Sequence, residues 1–450
     1  MNLSLEGNGL QPVSTKDRIV SLDVLRGVAL MGILLINISG FALPDRYLES
    51  ILPHPESLNY KVAWIVTVLF EGKMRALFSL IFGASIVLFV IHKEKNGNSS
   101  FGIFYRRMTW LALFGLAHAH IFLWGGDILY RYSLCGMILF FFRNAKPAQL
   151  IAIAFCICLV EVSMNTYFYS HNRSQRLAYL ETVKIEESGA PLNGAQQKAK
   201  EEWLVKEKNY FPDKDYVERS IELKRSDYWT MANHVRKSII LEETRLVPLL
   251  MIDPIMLMFL GMALYKLGFL SGKGDKRIYL WTMIAGYGIG FPLVLYSWSH
   301  LTSVPDKVAF LEVHSFNMAV WIYPVERVLL MLGHVSLVTL LVSAGVLKPL
   351  FNALSAVGRM AFSNYILQSI ICSFVFFGYG LGYFARFEYY QLFFIVFAIA
   401  IVQLIGSPIW LKYFRFGPLE WALRSLTYWK LQPNRLKRTG SEPAFGTLKT

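Results

Sequence analysis

Residues 21–43 read Ser-Leu-Asp-Val-Leu-Arg-Gly-Val-Ala-Leu-Met-Gly-Ile-Leu-Leu-Ile-Asn-Ile-Ser-Gly-Phe-Ala-Leu. From Val24 to Leu43 the stretch is apolar enough, and long enough, to cross a bilayer as a helix. Yet Asp23 and Arg26 stand at its entrance and Asn37 lies deep inside it. A helix that only anchors needs none of these. A helix that lines a site needs such groups and buries them against other helices.

Working outward, similar runs recur as far as residue 411 in a chain that is 54% hydrophobic and 17% charged, with mean hydropathy +0.41. This predicts an all-α polytopic membrane protein: a bundle of about ten transmembrane helices with a helical extracytoplasmic insertion. The expected spans are 24–43, 61–91, 107–124, 128–143, 148–169, 247–269, 279–299, 328–347, 361–384 and 389–411. They divide the chain into a cytoplasmic tail (1–20), a first bundle carrying the site (21–169), an extracytoplasmic loop or cap (170–246), a second bundle (247–411) and a cytoplasmic C-terminal segment (412–450). The first run is too long for a cleavable signal peptide and lacks a compact basic start.

The net charge of +14 does not argue for nucleic acid. It is spread over short loops and no recognition motif accompanies it. With the N-terminus inside, the inner segments hold 22 Lys and Arg and the short outer ones 6, Arg327 among the latter. This bias selects N-in and C-in. Residues 170–246 carry 14 Lys and Arg against 13 Asp and Glu, and Gln196–Lys208 and Tyr216–Lys224 have helical composition. Cys135, Cys156, Cys158 and Cys372 all lie in apolar runs and read as small hydrophobes, not as a disulfide framework or a metal pair.

The chemistry rests on polar residues inside the spans. By helical rise Asn37, Lys73 and His118 lie at similar depths, about 17–20 Å from one face or the other. Glu71 and Arg75 are four apart and can pair on one face. Lys73 then stands unpaired, which favours a water-filled cavity or an anionic ligand. Asp23 and Arg26 can pair at the boundary, and Asp127 can cap the fourth span.

Several motifs resemble the YeiB-like family of bacterial membrane proteins. They are Leu22-Asp23-Val24-Leu25-Arg26-Gly27 with Leu35-Ile36-Asn37-Ile38-Ser39, then Lys73–Ala84, then Gly115-Leu116-Ala117-His118 with Trp124–Leu129. Gly358-Arg359-Met360-Ala361 with Asn364–Gln368, and Tyr413–Trp421, complete the set. The resemblance implies a multi-pass protein of the bacterial cytoplasmic (inner) membrane. The first half also resembles the transmembrane acyltransferases, the heparan-glucosaminide acetyltransferase type among them. That likeness implies transfer of an acyl group from cytosolic acyl-CoA, and Asn37 matches an active-site Asn of that group. His54 sits in the loop that carries its active-site His, but Pro53-His54-Pro55 lacks the surrounding motif, so His118 is the better candidate.

Acyl transfer needs a base, donors for a developing oxyanion, and positive charge for the donor's phosphates. The expected catalytic set is His118, Asn37 and Asp127. The expected substrate-binding set is Asp23, Arg26, Glu71, Lys73, Arg75, Arg359, Asn364 and Gln368. Arg26 and Arg359 should flank one cleft that opens inward. No metal or covalently bound cofactor is expected, and acyl-CoA is the expected co-substrate. The expected partners are the lipid bilayer, acyl-CoA and an unidentified acceptor, with a homodimer in view and no nucleic acid. Two alternatives stand beside this: a transporter of a small anion or lipid-linked precursor that uses the same cavity without chemistry, and a structural membrane protein that assembles with partners through the outer loop.

Overall fold

The computed structural model describes residues 19–95, 100–210, 214–272, 274–304 and 306–436. The N-terminal tail with Lys16 and Arg18, and the counted Lys273, Lys437, Arg438 and Lys449, lie outside the described residues, as do the side chains of Lys93 and Lys95.

Among the described residues eighteen α-helices follow in chain order. The first half holds α1 (Val20–Ala42), α2 (Tyr47–Ile51), α3 (Leu58–Leu69), α4 (Lys73–Lys95), α5 (Phe101–Ile121), α6 (Leu129–Leu139) and α7 (Pro147–Glu187). The insertion holds α8 (Gly194–Tyr210), α9 (Lys214–Lys224) and α10 (Tyr228–Thr244). The second half holds α11 (Val247–Lys266), α12 (Lys276–Leu301), α13 (Lys307–Val313), α14 (Met318–Ser343), α15 (Lys348–Arg359), α16 (Ala361–Phe376), α17 (Leu392–Tyr413) and α18 (Pro418–Tyr428). The chain is an all-α, multi-pass membrane protein. Among the described residues seven spans are long and apolar enough to cross a membrane: α1, α3 with α4, α7, α11, α12, α14 and α17. The other three expected spans fall on α5, which carries Arg106 and Arg107, and on two shorter apolar helices, α6 and α16.

Three boundaries differ from expectation. The second span is two helices, because the chain turns at Phe70–Gly72 with Gly72 at φ +72°. Only glycine adopts that conformation without strain. The span expected at 328–347 begins ten residues earlier at Met318, where Asn317 caps it by accepting from the Ala319 N–H at 3.1 Å. Arg327 is therefore inside a helix and fully buried, not in an outer segment. Charged residues do not end a helix when partners from other helices meet them. Third, α7 continues through the expected boundary for 41 residues and forms one side of the insertion.

The insertion packs over the end of the bundle where α1 finishes. Arg225 Nε donates to Phe384 O at 2.8 Å, the Gly378 N–H donates to Lys224 O at 2.9 Å, and Arg236 donates to His120 O at 2.9 Å. Met231 and Ala232 of α10 join an apolar cluster with Phe41, Phe376 and Phe384. Two close seams hold the bundle itself. A Cβ on Gly27 would lie 2.1 Å from Leu354 O and one on Gly358 only 1.9 Å from Asp23 O, so α1 and α15 touch backbone to backbone. Gly83 and Gly261 do the same for α4 and α11, at 2.1 Å from Met258 O and 2.0 Å from Leu80 O. Small residues permit such approach where water cannot drive helices together.

Candidate functional site

The end of the bundle where α1 begins holds a cavity of about 300 Å³. Four arginines from four helices line it: Arg26 of α1, Arg107 of α5, Arg359 at the end of α15 and Arg424 of α18. The acids in its wall are Asp23 and Glu420. Asp23 pairs with Arg26 at 2.9 Å, and Arg26 also donates to Ser85 Oγ at 3.2 Å. Glu420 accepts from the Phe362 and Ser363 N–H groups at 2.8 and 3.1 Å and so caps the start of α16. The mouth therefore carries a surplus of positive charge. Deeper in, the wall turns apolar, with Phe78, Phe82 and Phe89 of α4 facing Phe104, Met108 and Leu111 of α5. Leu129 and Tyr132 of α6 and Tyr365 of α16 complete the lining.

Immediately behind Tyr365 sits a buried histidine–aspartate pair. His118 Nδ1 lies 2.8 Å from Asp127 Oδ1, and both side chains are buried, 1% and 4% exposed. Asp127 Oδ2 accepts from the Tyr130 N–H at 2.9 Å. Asp127 thus caps the helical turn that leads into α6 and orients His118 as well. A carboxylate can only accept, so Nδ1 carries the proton and Nε2 presents a lone pair. Nε2 is buried with no hydrogen-bond partner among the described residues. The His118 ring packs on Tyr365 with centroids 5.1 Å apart.

The expected site residues do not form one group. Asp23, Arg26 and Arg359 line the cavity, and His118 with Asp127 stands behind Tyr365. Asn37 is half-buried in α1 and is not among the lining residues. Asn37, Lys73 and His118, expected to line one cavity together, are not among the residues that line this one. Lys73 is buried elsewhere and donates to Thr67 O at 2.9 Å. Glu71 lies in the turn before α4 and does not form the expected pair with Arg75, which meets Asp253 of α11 at 3.2 Å. The break at Gly72 removes the shared helical face that such a pair requires. Asn364 and Gln368 are buried in a polar ladder between α16 and α17. Asn364 donates to Ser407 Oγ at 3.0 Å, Gln368 to Gln403 Oε1 at 2.9 Å, and Gln403 returns a bond to Asn364 O at 2.8 Å. His54 is exposed, beside Glu56 at 3.5 Å.

Sequence reasoning missed two features. Arg424 falls in the polar C-terminal segment, where its charge alone marks only the inner side, yet α18 folds back against α5 and brings it to the mouth. The second is a buried ionic cluster across four helices. Arg327 of α14 meets Asp253 of α11 and lies 3.7 Å from Glu161 of α7, while Arg75 of α4 meets the same Asp253. Glu326 accepts from Ser297 Oγ of α12 at 2.8 Å nearby. The available signal was a lone acid inside an apolar run, at Glu161 and at Asp253.

Comparison with known proteins gives the family. The chain is 31% identical over 448 residues to Uncharacterized protein YxaH of Bacillus subtilis (strain 168), an alignment covering 95% of this chain and 98% of that protein. The chain belongs to the YeiB-like family. Uncharacterized protein YeiB of Escherichia coli (strain K12) is 28% identical over 421 residues, covering 91% of this chain and 96% of that protein. An uncharacterized 39.9 kDa protein from Bacillus acidopullulyticus is 25% identical over 442 residues, covering 95% and 99%. Residues 264–430 match a family described as "Protein of unknown function (DUF418)". No solved structure matches. The family's C-terminal match contains Arg359 and Arg424 and ends beyond α18, while the histidine–aspartate pair lies in the half before it.

Proposed function

We propose that the protein is a membrane-bound acyltransferase that takes its acyl group from acyl-CoA. The observation that carries the reading is the buried His118–Asp127 pair, with Nε2 free, behind a cavity whose mouth holds four arginines. Arg107 and His118 share α5 and stand eleven residues apart, about 17 Å by helical rise. A donor for this site has its anionic groups and its reactive carbonyl well separated, and the pantetheine arm of coenzyme A provides such a separation.

In this reading the arginines hold the phosphates. Nε2 accepts the proton of the acceptor's hydroxyl or amine as that atom bonds to the acyl carbon. The carbon–sulfur bond then breaks, and the imidazolium returns the proton to the leaving thiolate. Asp127 holds the ring in the required tautomer and stabilises the imidazolium. Asn37 remains the expected oxyanion donor on the strength of its motif. N-in, C-in orientation in a bacterial inner membrane would place the arginine mouth on the side where coenzyme A is kept.

Calorimetry with acetyl-CoA on the detergent-purified chain tests the reading. It expects binding to wild type, slow thioester hydrolysis, and loss of hydrolysis but not of binding in His118→Ala. Absence of binding by any acyl-CoA would overturn it. The buried ionic cluster, which this chemistry does not use, favours a second reading as a transporter of a small anion or lipid-linked precursor. Counterflow in vesicles without thioester cleavage supports that reading against the first.

A further inference from the structure

We infer that Tyr365 is a positioning residue whose ring separates the cavity from the His118 imidazole and must swing aside for the two to meet. The inference deepens the acyl-transfer reading and rests on it for its role in turnover. The barrier itself stands on geometry. Tyr365 both lines the cavity and packs on His118, with ring centroids 5.1 Å apart and planes inclined by 63°. His118 is not among the lining residues, although its Nε2 has no hydrogen-bond partner among the described residues to hold it back. Attack requires reacting atoms about 3–3.5 Å apart. A donor confined to the cavity cannot bring its carbonyl that close to an acceptor on Nε2 while the tyrosine ring lies between.

The ring is held by packing on His118 and, at its hydroxyl, by a long bond to Gly126 O at 3.5 Å with the Ile128 backbone and the Trp124 side chain beside it. The residue sits on α16, six positions after Arg359, and the start of α16 is clamped by Glu420 from the helix that carries Arg424. An anion drawn to Arg359 and Arg424 therefore acts on both supports of the segment that bears the ring. A screened base also limits wasteful transfer to water while the cavity is empty.

Histidine carbethoxylation by diethyl pyrocarbonate, read by mass spectrometry on the full chain in detergent, tests the barrier without any turnover. His334 is the internal reference, because both its nitrogens are engaged, Nδ1 with Tyr287 at 2.8 Å and Nε2 with Leu69 O at 2.9 Å. Tyr365→Ala and Tyr365→Leu should each raise the His118 to His334 labelling ratio by about tenfold or more, since each removes the flat ring and about tenfold corresponds to some 1.4 kcal/mol of access barrier. Tyr365→Phe keeps the ring and should restore the wild-type ratio. Should the alanine variant not fold, the leucine–phenylalanine contrast decides alone. An unchanged ratio in the leucine variant, or a wild-type His118 that labels as fast as exposed His54, overturns the inference. A raised ratio in a protein that binds no acyl-CoA upholds the barrier and removes the acyl-transfer reading. Acyl-CoA binding with an unchanged ratio does the reverse.

Discussion

Replacing Asp253 by alanine tests whether the buried ionic cluster holds the two halves of the bundle together. Asp253 meets two arginines, and they are not equal. Arg327 is fully buried and would keep only one acid, Glu161 at 3.7 Å, besides the Tyr323 ring at 4.8 Å. Removing one partner of a buried pair typically costs about 3–5 kcal/mol, because the other charge is left uncompensated. Arg75, with a side chain 48% exposed, is the less enclosed of the two. Asp253→Ala should therefore lose about 4 kcal/mol, most of it through Arg327. Reversible unfolding in mixed micelles by added dodecyl sulfate measures this. The companion variant Asp253→Ala/Arg327→Met removes the stranded charge and should recover at least about 2 kcal/mol, a coupling that a double-mutant cycle isolates. A loss below about 1 kcal/mol in the single variant, or strict additivity in the double, refutes the reasoning.

Arg359→Ala should weaken acetyl-CoA binding by about 2–5 kcal/mol in calorimetry, as for truncation of a buried charged partner, whereas a merely headgroup-seeking arginine leaves it unchanged. Asp127→Asn should abolish thioester hydrolysis while leaving donor affinity within about twofold, because it disturbs the tautomer and not the arginine mouth. Gly358→Ala should destabilise the protein by more than about 1 kcal/mol in the same micelle assay, since the added Cβ falls 1.9 Å from Asp23 O and forces α1 from α15; wild-type stability would contradict the seam. The last concerns pH. Burial is the main cause that raises the Glu242 carboxyl above the usual range, with neighbouring Glu243 adding to it and Arg131 opposing it. A carboxyl raised in the folded state binds its proton more tightly there than when unfolded, so stability falls as pH rises through that interval. Glu242→Gln should flatten that decline in melting temperature between pH 4.5 and neutrality.

The spans were legible because an apolar run of about twenty residues has few alternatives to a membrane helix. Helix ends were not. Glu326 and Arg327 look like an outer boundary until Asp253, Glu161 and Ser297 arrive from three other helices to meet them. Arg26 and Arg359 could be read onto one cleft because each lies at a span's start on the same face. Arg424 could not, since its place depends on α18 folding back on α5. Depth along a helix is a one-dimensional coordinate. It put Lys73 level with His118, but azimuth decides contact, and the turn at Gly72 reset the azimuth of everything after it.

The two glycine seams have a mechanical consequence. Helices that touch backbone to backbone have no side-chain cushion along which to slide, so α1 with α15, and α4 with α11, behave as two stiff struts. They supply two walls of the arginine-mouthed cavity. Any breathing of that chamber falls to the remaining walls, α5, α16 and α18, whose contacts with one another include edge-to-face ring pairs such as Trp110 with Trp429 and Phe114 with Phe362. Aromatic faces tilt and slip at small cost where backbones cannot. The moving wall then carries His118 together with Arg107 and Arg424, and the fixed wall carries Arg26 and Arg359. A change in the chamber's width would shift the first set of charges relative to the second.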